Sequence, residues 1–278
     1  MVHYSKMLLF FVSLLLMKAA IAGHPPASEL HNQKYGPHQR HRLDVYWPQQ
    51  HDSTTPVVVL LHGGAWIIGH KKQWQPEIIH ALTQQGYAVC CINYRYACGD
   101  YRAQMQDMDR VLQYVRTQAA EGHMAPDRVA LAGVSAGGHL SLLYGQAHDT
   151  AGVVKAIISL AGPTDLSDTL FHRYARNYCI GFVFQRFLGC TFRQQPALYA
   201  EASPVFCPGK VPSLFIHGRR DNLVPPSQSQ RMYDALRARG TPADTVWFGH
   251  TGHLITGKKK ANLPAIIAKM KYWLQRYL

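Results

Sequence analysis

Val129-Ala130-Leu131-Ala132-Gly133-Val134-Ser135-Ala136-Gly137 runs from an unbroken apolar stretch into a serine held between small residues, and then into a helical pattern over Ala136 to Gln146. The apolar part reads as a strand buried on both faces of a parallel sheet, because a half-exposed strand would alternate polar and apolar positions. Gly133, Ser135 and Gly137 fit G-x-S-x-G at a strand-to-helix turn. Such a turn forces the serine into a strained backbone conformation and leaves no room for side chains beside it. Ser135 is therefore the candidate nucleophile.

The same rhythm recurs on both sides of this stretch. Upstream, Pro56 to Leu61 and Tyr87 to Tyr94 are further buried runs. Between and after them, helical spacing appears from Ile78 to Leu82, ending near Gly86, and from Tyr101 to Ala120 with Met105, Met108, Val111, Leu112 and Val115 on one face. Leu43 to Pro48 alternates like a short edge strand stopped by proline, and the polar residues 23–42 before it read as a surface arm. Downstream, strands are expected at Val154 to Leu160, Ser213 to Ile216 and Thr245 to Phe248, with helices between Pro226 and Arg239 and from Leu263 to Tyr277. The expected fold class is α/β: a mostly parallel central sheet, helices on both faces, right-handed crossovers, and reactive groups on loops at the carboxyl ends of strands.

Residues 167–205 break the alternation. They hold no clear strand and are rich in aromatic and basic residues, including Phe171, Tyr174, Tyr178, Phe182, Phe184 and Phe187 with Arg173, Arg176 and Arg186. An insertion of this kind reads either as a lid over a pocket or as a packed helical excursion.

A serine hydroxyl needs a base, and the base needs an orienting carboxylate. Asp221 stands on the loop after Ser213 to Ile216, and Gly249-His250-Thr251-Gly252-His253 offers two histidines after the last strand. The chain order Ser, Asp, His suits this architecture and differs from that of the other serine-hydrolase folds. His62-Gly63-Gly64-Ala65 follows a buried strand, where glycines let backbone amides face a developing oxyanion together with the amide of Ala136.

With these motifs in place, the chain resembles secreted α/β-hydrolases of the esterase/lipase group that carry H-G-G-x-W. It is similar to hormone-sensitive-lipase-like carboxylesterases, carbohydrate-ester hydrolases and kynurenine formamidases. The resemblance spans about residues 35–278 and rests on Leu43-Asp44-Val45-Tyr46, His62 to Trp66, Asn93-Tyr94-Arg95, Gly133 to Gly138, Ala202-Ser203-Pro204, His217-Gly218 with Asp221 and Val224-Pro225, and Gly252-His253. It implies a monomeric α/β-hydrolase with no cofactor and a small-molecule ester substrate. Within it Gly252-His253 matches the position of the base better than His250. The oxyanion donors it implies are the amides of Gly64, Ala65 and Ala136, with His62 bracing that loop and Trp66 packing under it. Short-chain or aromatic acyl esters are the expected substrates. Amide cleavage by the same machinery and a non-catalytic binding module stand as alternatives.

Composition bounds the remaining possibilities. The chain has 278 residues, 47% hydrophobic and 16% charged, which excludes disordered and fibrous classes. Its N-terminus has a basic start, an apolar run from Met7 to Met17 and small residues at Ala20 and Ala22, so residues 1–22 read as a secretory signal peptide with the mature chain starting at Gly23. Lys18 interrupts that pattern and leaves an uncleaved N-terminal anchor as the alternative. The expected location is secreted or periplasmic. The formal net charge is +13, and losing Lys6 and Lys18 with the leader leaves +11. Such a charge favours loose association with anionic envelope surfaces. The basic residues are scattered, with Lys71-Lys72, Arg219-Arg220 and Lys258-Lys259-Lys260 as short clusters, so they read as a solvated surface and no nucleic-acid partner is expected. Six cysteines (90, 91, 98, 179, 190 and 207) allow 15 full pairings; Cys179 and Cys190 form the expected local pair, while Cys90 and Cys91 read as small hydrophobes in a buried strand. No metal-ligand spacing occurs.

Overall fold

The uninterrupted apolar runs form the middle of an eight-stranded sheet with the order β1-β2-β4-β3-β5-β6-β7-β8. A computed structural model describes residues 28–174 and 180–278. The expected leader, together with Arg176, Tyr178 and Cys179, lies outside the described residues. The strands are β1 (Ser28–Lys34), β2 (Arg42–Trp47), β3 (Val57–Leu61), β4 (Ala88–Ile92), β5 (Val129–Val134), β6 (Val154–Leu160), β7 (Ser213–Gly218) and β8 (Ala243–Phe248). β1 and β2 run antiparallel to their neighbours, and β4, β3, β5, β6, β7 and β8 are mutually parallel.

The helices are α1 (Pro76–Thr83), α2 (Arg102–Ala120), α3 (Ala136–Leu143), α4 (Thr169–Tyr174), α5 (Ile180–Leu188), α6 (Pro196–Glu201), α7 (Ser227–Ala238) and α8 (Leu263–Tyr277). They cover both faces of the sheet, as a sheet of doubly buried strands requires. Successive residues of β3 point to opposite faces. Val57, Val59 and Leu61 join the cluster holding Met108, Val111 and Val115 of α2. Val58 and Leu60 join Ile78, Ile79 and Leu82 of α1 with Ile266, Met270 and Trp273 of α8. Cys90 and Cys91 divide between the same two clusters, which is the role expected for them. α3 ends at Leu143 and widens into a π turn over Tyr144–His148.

Two expectations about the N-terminal side are corrected. The residues read as a polar arm contain β1, and β1 takes the sheet edge, so β2 is an inner strand between β1 and β4. β1 is exposed along nearly its whole length and therefore lacks the alternation that marks a half-buried strand. The second correction concerns Lys71. It is not part of a solvated basic surface but 1% exposed, with its ammonium 2.5 Å from Oδ1 of Asp44, itself buried in β2. Burial opposes the charge of Asp44, but the Lys71 ammonium and the amide of Asn32 outweigh it and hold the carboxyl below its usual range. Removing one partner strands the other in an apolar site. Asp44→Asn is expected to lower stability by about 3–5 kcal/mol in urea unfolding. A change below about 1 kcal/mol would show that Lys71 escapes to water.

The interrupting segment forms α4, α5 and α6. Phe171, Phe184 and Phe187 are fully buried, whereas Leu170 and Phe182 are exposed. Phe187 stacks on Trp66 with ring centroids 4.5 Å apart, and Phe184 packs edge-on to Phe171 and Tyr199. Among the described residues, Phe171, Phe184, Phe187 and Tyr199 of this segment therefore go into the core. Among the described residues no helix is long and apolar enough to cross a membrane.

Candidate active site

Chain order around the sheet puts the site where the strand sequence reverses. The chain passes from β3 to β4 on one side and then crosses to β5 on the other, so the loops after β3 and β5 splay apart at the carboxyl edge and leave a crevice. Those loops carry His62-Gly63-Gly64-Ala65 and Ser135.

Ser135 has φ 53° and ψ −118°, the strained turn anticipated from its flanking glycines. The reason for those glycines is contact with backbone. A Cβ on Gly133 would lie 2.1 Å from the carbonyl of Gly137, and one on Gly137 would lie 2.4 Å from the carbonyl of Leu61. The turn is fastened by the Ser135 amide donating to Leu160 O at 2.8 Å and by His139 N donating to Ser135 O at 3.0 Å.

Ser135 Oγ lies 2.9 Å from Nε2 of His253, and Nδ1 of His253 lies 2.7 Å from Oδ2 of Asp221. The carboxylate accepts at Nδ1, so that nitrogen carries the proton and Nε2 is free to accept from the serine. His250 is exposed and makes no side-chain hydrogen bond among the described residues, so the structure brings together His253 and not His250. Asp221 is fully buried, with Oδ1 accepting the amides of Leu223 and Val224 at 2.9 Å each. Burial disfavours its charge, but His253 and His217 outweigh that and hold the carboxyl well below the ordinary range.

Sequence reading did not assign a role to His217. It is buried at the end of β7, with Nε2 3.0 Å from both Asp221 Oδ2 and the carbonyl of Val224, and Nδ1 2.7 Å from Ser229 Oγ. Both partners of Nε2 are acceptors, so Nε2 donates and the Ser229 hydroxyl donates to Nδ1. His217 thus supplies a fourth hydrogen bond to Asp221 and fixes its plane. The signal in the sequence was its position in the apolar run Ser213 to Ile216-His217, where a polar residue must find a buried partner.

The loop after β3 reaches back toward Ser135. Gly64 has φ 119°, open only to a residue without a side chain, and Ala65 and Trp66 follow with φ 50° and 60°. Among the described residues no hydrogen bond engages the amides of Gly64, Ala65 or Ala136, and the last of these opens α3. Free amides at a helix start and a reversed loop form a site for negative charge. His62 braces this loop. Its ring stacks on Tyr94 at 4.2 Å, its Nδ1 donates to Gly63 O at 2.6 Å, and its Nε2 accepts from Arg40 at 3.2 Å. Burial pushes it down to about 3, so it stays neutral and takes up no second proton in the working range. Trp66 packs inward as anticipated, 2% exposed, with its Nε1–H donating to Nδ1 of His139 at 3.3 Å. His139 in turn donates from Nε2 to Ala202 O at 2.8 Å, tying α3 to the segment after α6. Among the described residues no cluster of three or more potential metal ligands occurs.

A sheet of this order, with a serine turn after β5 and its partners after β7 and β8, is the architecture of an α/β-hydrolase of the esterase/lipase group. Residues 43–236 match the BD-FAE family model, and the chain belongs to that family. It is 29% identical over 242 residues to a probable isoprenylcysteine alpha-carbonyl methylesterase of Oryza sativa subsp. japonica, covering 79% of this chain and 55% of that protein. It is 28% identical over 222 residues to the esterase LipC of Mycobacterium tuberculosis, covering 73% of this chain and 54% of that protein. The chain thus spans about half the length of the curated relatives it matches. Among solved structures, esterase B from Lactobacillus Rhamnosis superposes with a TM-score of 0.74 at 18% identity, over 99% of this chain and 96% of that one.

Proposed function

We propose that this protein is a serine hydrolase of carboxylic esters. The observation that carries the reading is the unbroken relay from Ser135 Oγ through His253 to buried Asp221, at 2.9 and 2.7 Å. In this mechanism Ser135 attacks the ester carbonyl while His253 Nε2 takes its proton. The carbonyl oxygen becomes an oxyanion facing the amides of Gly64, Ala65 and Ala136, each such donor contributing on the order of 10² to 10³ in turnover. As the tetrahedral intermediate collapses, the imidazolium passes its proton to the leaving alcohol, and Asp221 stabilises the imidazolium without taking that proton. Water activated by His253 then releases the acid from the acyl-enzyme. The methylesterase and esterase names of the relatives support ester cleavage.

For the acyl group we propose a short or aromatic one. Phe187 packs against Trp66 and His139, so this part of the interrupting segment goes into the core rather than into an extended apolar channel. On a series of aryl esters, kcat/KM is expected to peak at acyl chains of about two to six carbons, each accommodated methylene contributing about 0.8 kcal/mol until the space is full. A steady rise out to long chains would refute the short-acyl reading. N-formyl amides belong in the same panel, since faster amide than ester turnover would replace the esterase assignment. We further propose that residues 1–22 direct export and that residues 23–278 are the hydrolase domain, whose positive charge holds it loosely at anionic envelope surfaces. Protein recovered from the envelope or medium should begin at Gly23 by mass, and an intact Met1 would instead support an N-terminal anchor.

A further inference from the structure

A cavity of about 670 Å³ opens beside the oxyanion loop, lined by His38, Arg40, Arg42, His70 and Arg95 together with amide side chains such as Asn32. That volume lies inside the range of small-molecule sites. Its position follows from the topology. β2 is antiparallel to β4, so the residues that open β2 lie beside those that follow β4, and both meet the loop after β3. The cavity therefore sits on the same carboxyl rim as Ser135. β4 and β5 flank β3, so their ends are two strand spacings apart, about 10 Å.

The charge at this cavity is one-sided. Among the described residues lining it there is no aspartate or glutamate. Arg95 is committed to buried Asp107 at 2.6 Å. Arg40 has no carboxylate partner: its Nε donates to Tyr94 O at 2.7 Å, its Nη2 to Gly69 O and His62 Nε2 at 3.2 Å each, and its guanidinium lies 3.6 Å over the Tyr96 ring. Arg42, partly buried as a residue, makes no side-chain hydrogen bond or ion pair among the described residues. Burial disfavours the charge of Arg40, and a partly desolvated guanidinium without a carboxylate partner is stabilised by an anion, which the neighbouring Arg42 would share. His70 is held below its usual range by burial first, with the charges of Lys71, Arg40 and Lys72 adding to it and that of Asp44 opposing. The amides of Asn32 and Gln39 add both donors and acceptors on the wall, a chemistry suited to hydroxyl groups.

We propose that this cavity binds the carboxylate or sulfate of an acidic, hydroxylated ligand such as a sugar acid, held by Arg40 and Arg42. Binding there needs neither Ser135 nor turnover, so the site stands or falls apart from the hydrolase reading.

The test is an NMR titration of the Ser135→Ala protein with glucuronate, glucose 6-sulfate and neutral glucose. Glucuronate, glucose 6-sulfate or both should bind at least about tenfold more tightly than glucose, the two acids distinguishing a carboxylate from a sulfate site. Arg42→Gln should remove most of that preference. It is the safer variant, because Arg42 supports no other group, whereas Arg40→Gln also loosens the loop at His62. Added salt should weaken the acids and leave glucose unaffected. Equal binding of glucose and both acids, or an unchanged preference in Arg42→Gln shown to be folded, would overturn the proposal.

Discussion

Replacing Ser135 by alanine is expected to lower ester turnover by at least about 10³-fold while the protein stays folded. The loss is large because, among the described residues, Ser135 supplies the hydroxyl that His253 engages, and without it the imidazole has only water to activate. What survives is binding and the free amides after β3 and at the start of α3, which still stabilise an oxyanion. The fold should tolerate the change. Alanine accepts the same backbone turn, and among the described residues the hydroxyl is hydrogen-bonded only to His253, so unfolding free energy should move by no more than about 1 kcal/mol. Initial rates on an aryl acetate, alongside urea unfolding of the same sample, decide the matter. Activity within tenfold of the parent in folded Ser135→Ala would remove Ser135 from the mechanism.

His253→Ala should be nearly as damaging, and His250→Ala nearly silent, although the two residues are three apart in one loop. His253 alone bridges Ser135 Oγ and Asp221, and 8% of its side chain is exposed. His250 is exposed and unpartnered among the described residues. Because the serine and histidine act as one unit, the double variant Ser135→Ala with His253→Ala should be no slower than either single one. Additive losses, or a ranking in which His250→Ala is the slower enzyme, would move the base away from His253.

What the sequence by itself determined was whatever depends on short-range pattern. Doubly buried strands must be continuously apolar, so β3, β4, β5 and β6 could be read at sight, and the serine turn followed from small residues forced by backbone contact at Gly133 and Gly137. The Ser, Asp, His order then pointed to the loops that meet. Of the two histidines in one loop, the Gly252-His253 pattern favoured His253 over His250, but whether its ring meets Ser135 and Asp221 is a direction in space that the fold decided. The fold also decided what depends on distant partners. β1 exists only because its polar residues pair with β2 at an edge open to water, and Lys71 is buried only because Asp44, 27 positions away, supplies its counter-charge. His217 turns toward Asp221 once β7 is covered on both faces, and Arg40 reaches His62 once β2 lies against β4. A charge or a hydrogen bond across the fold leaves no periodicity in the chain; its energy depends on desolvation and on the position of one partner, and only the packed structure sets both.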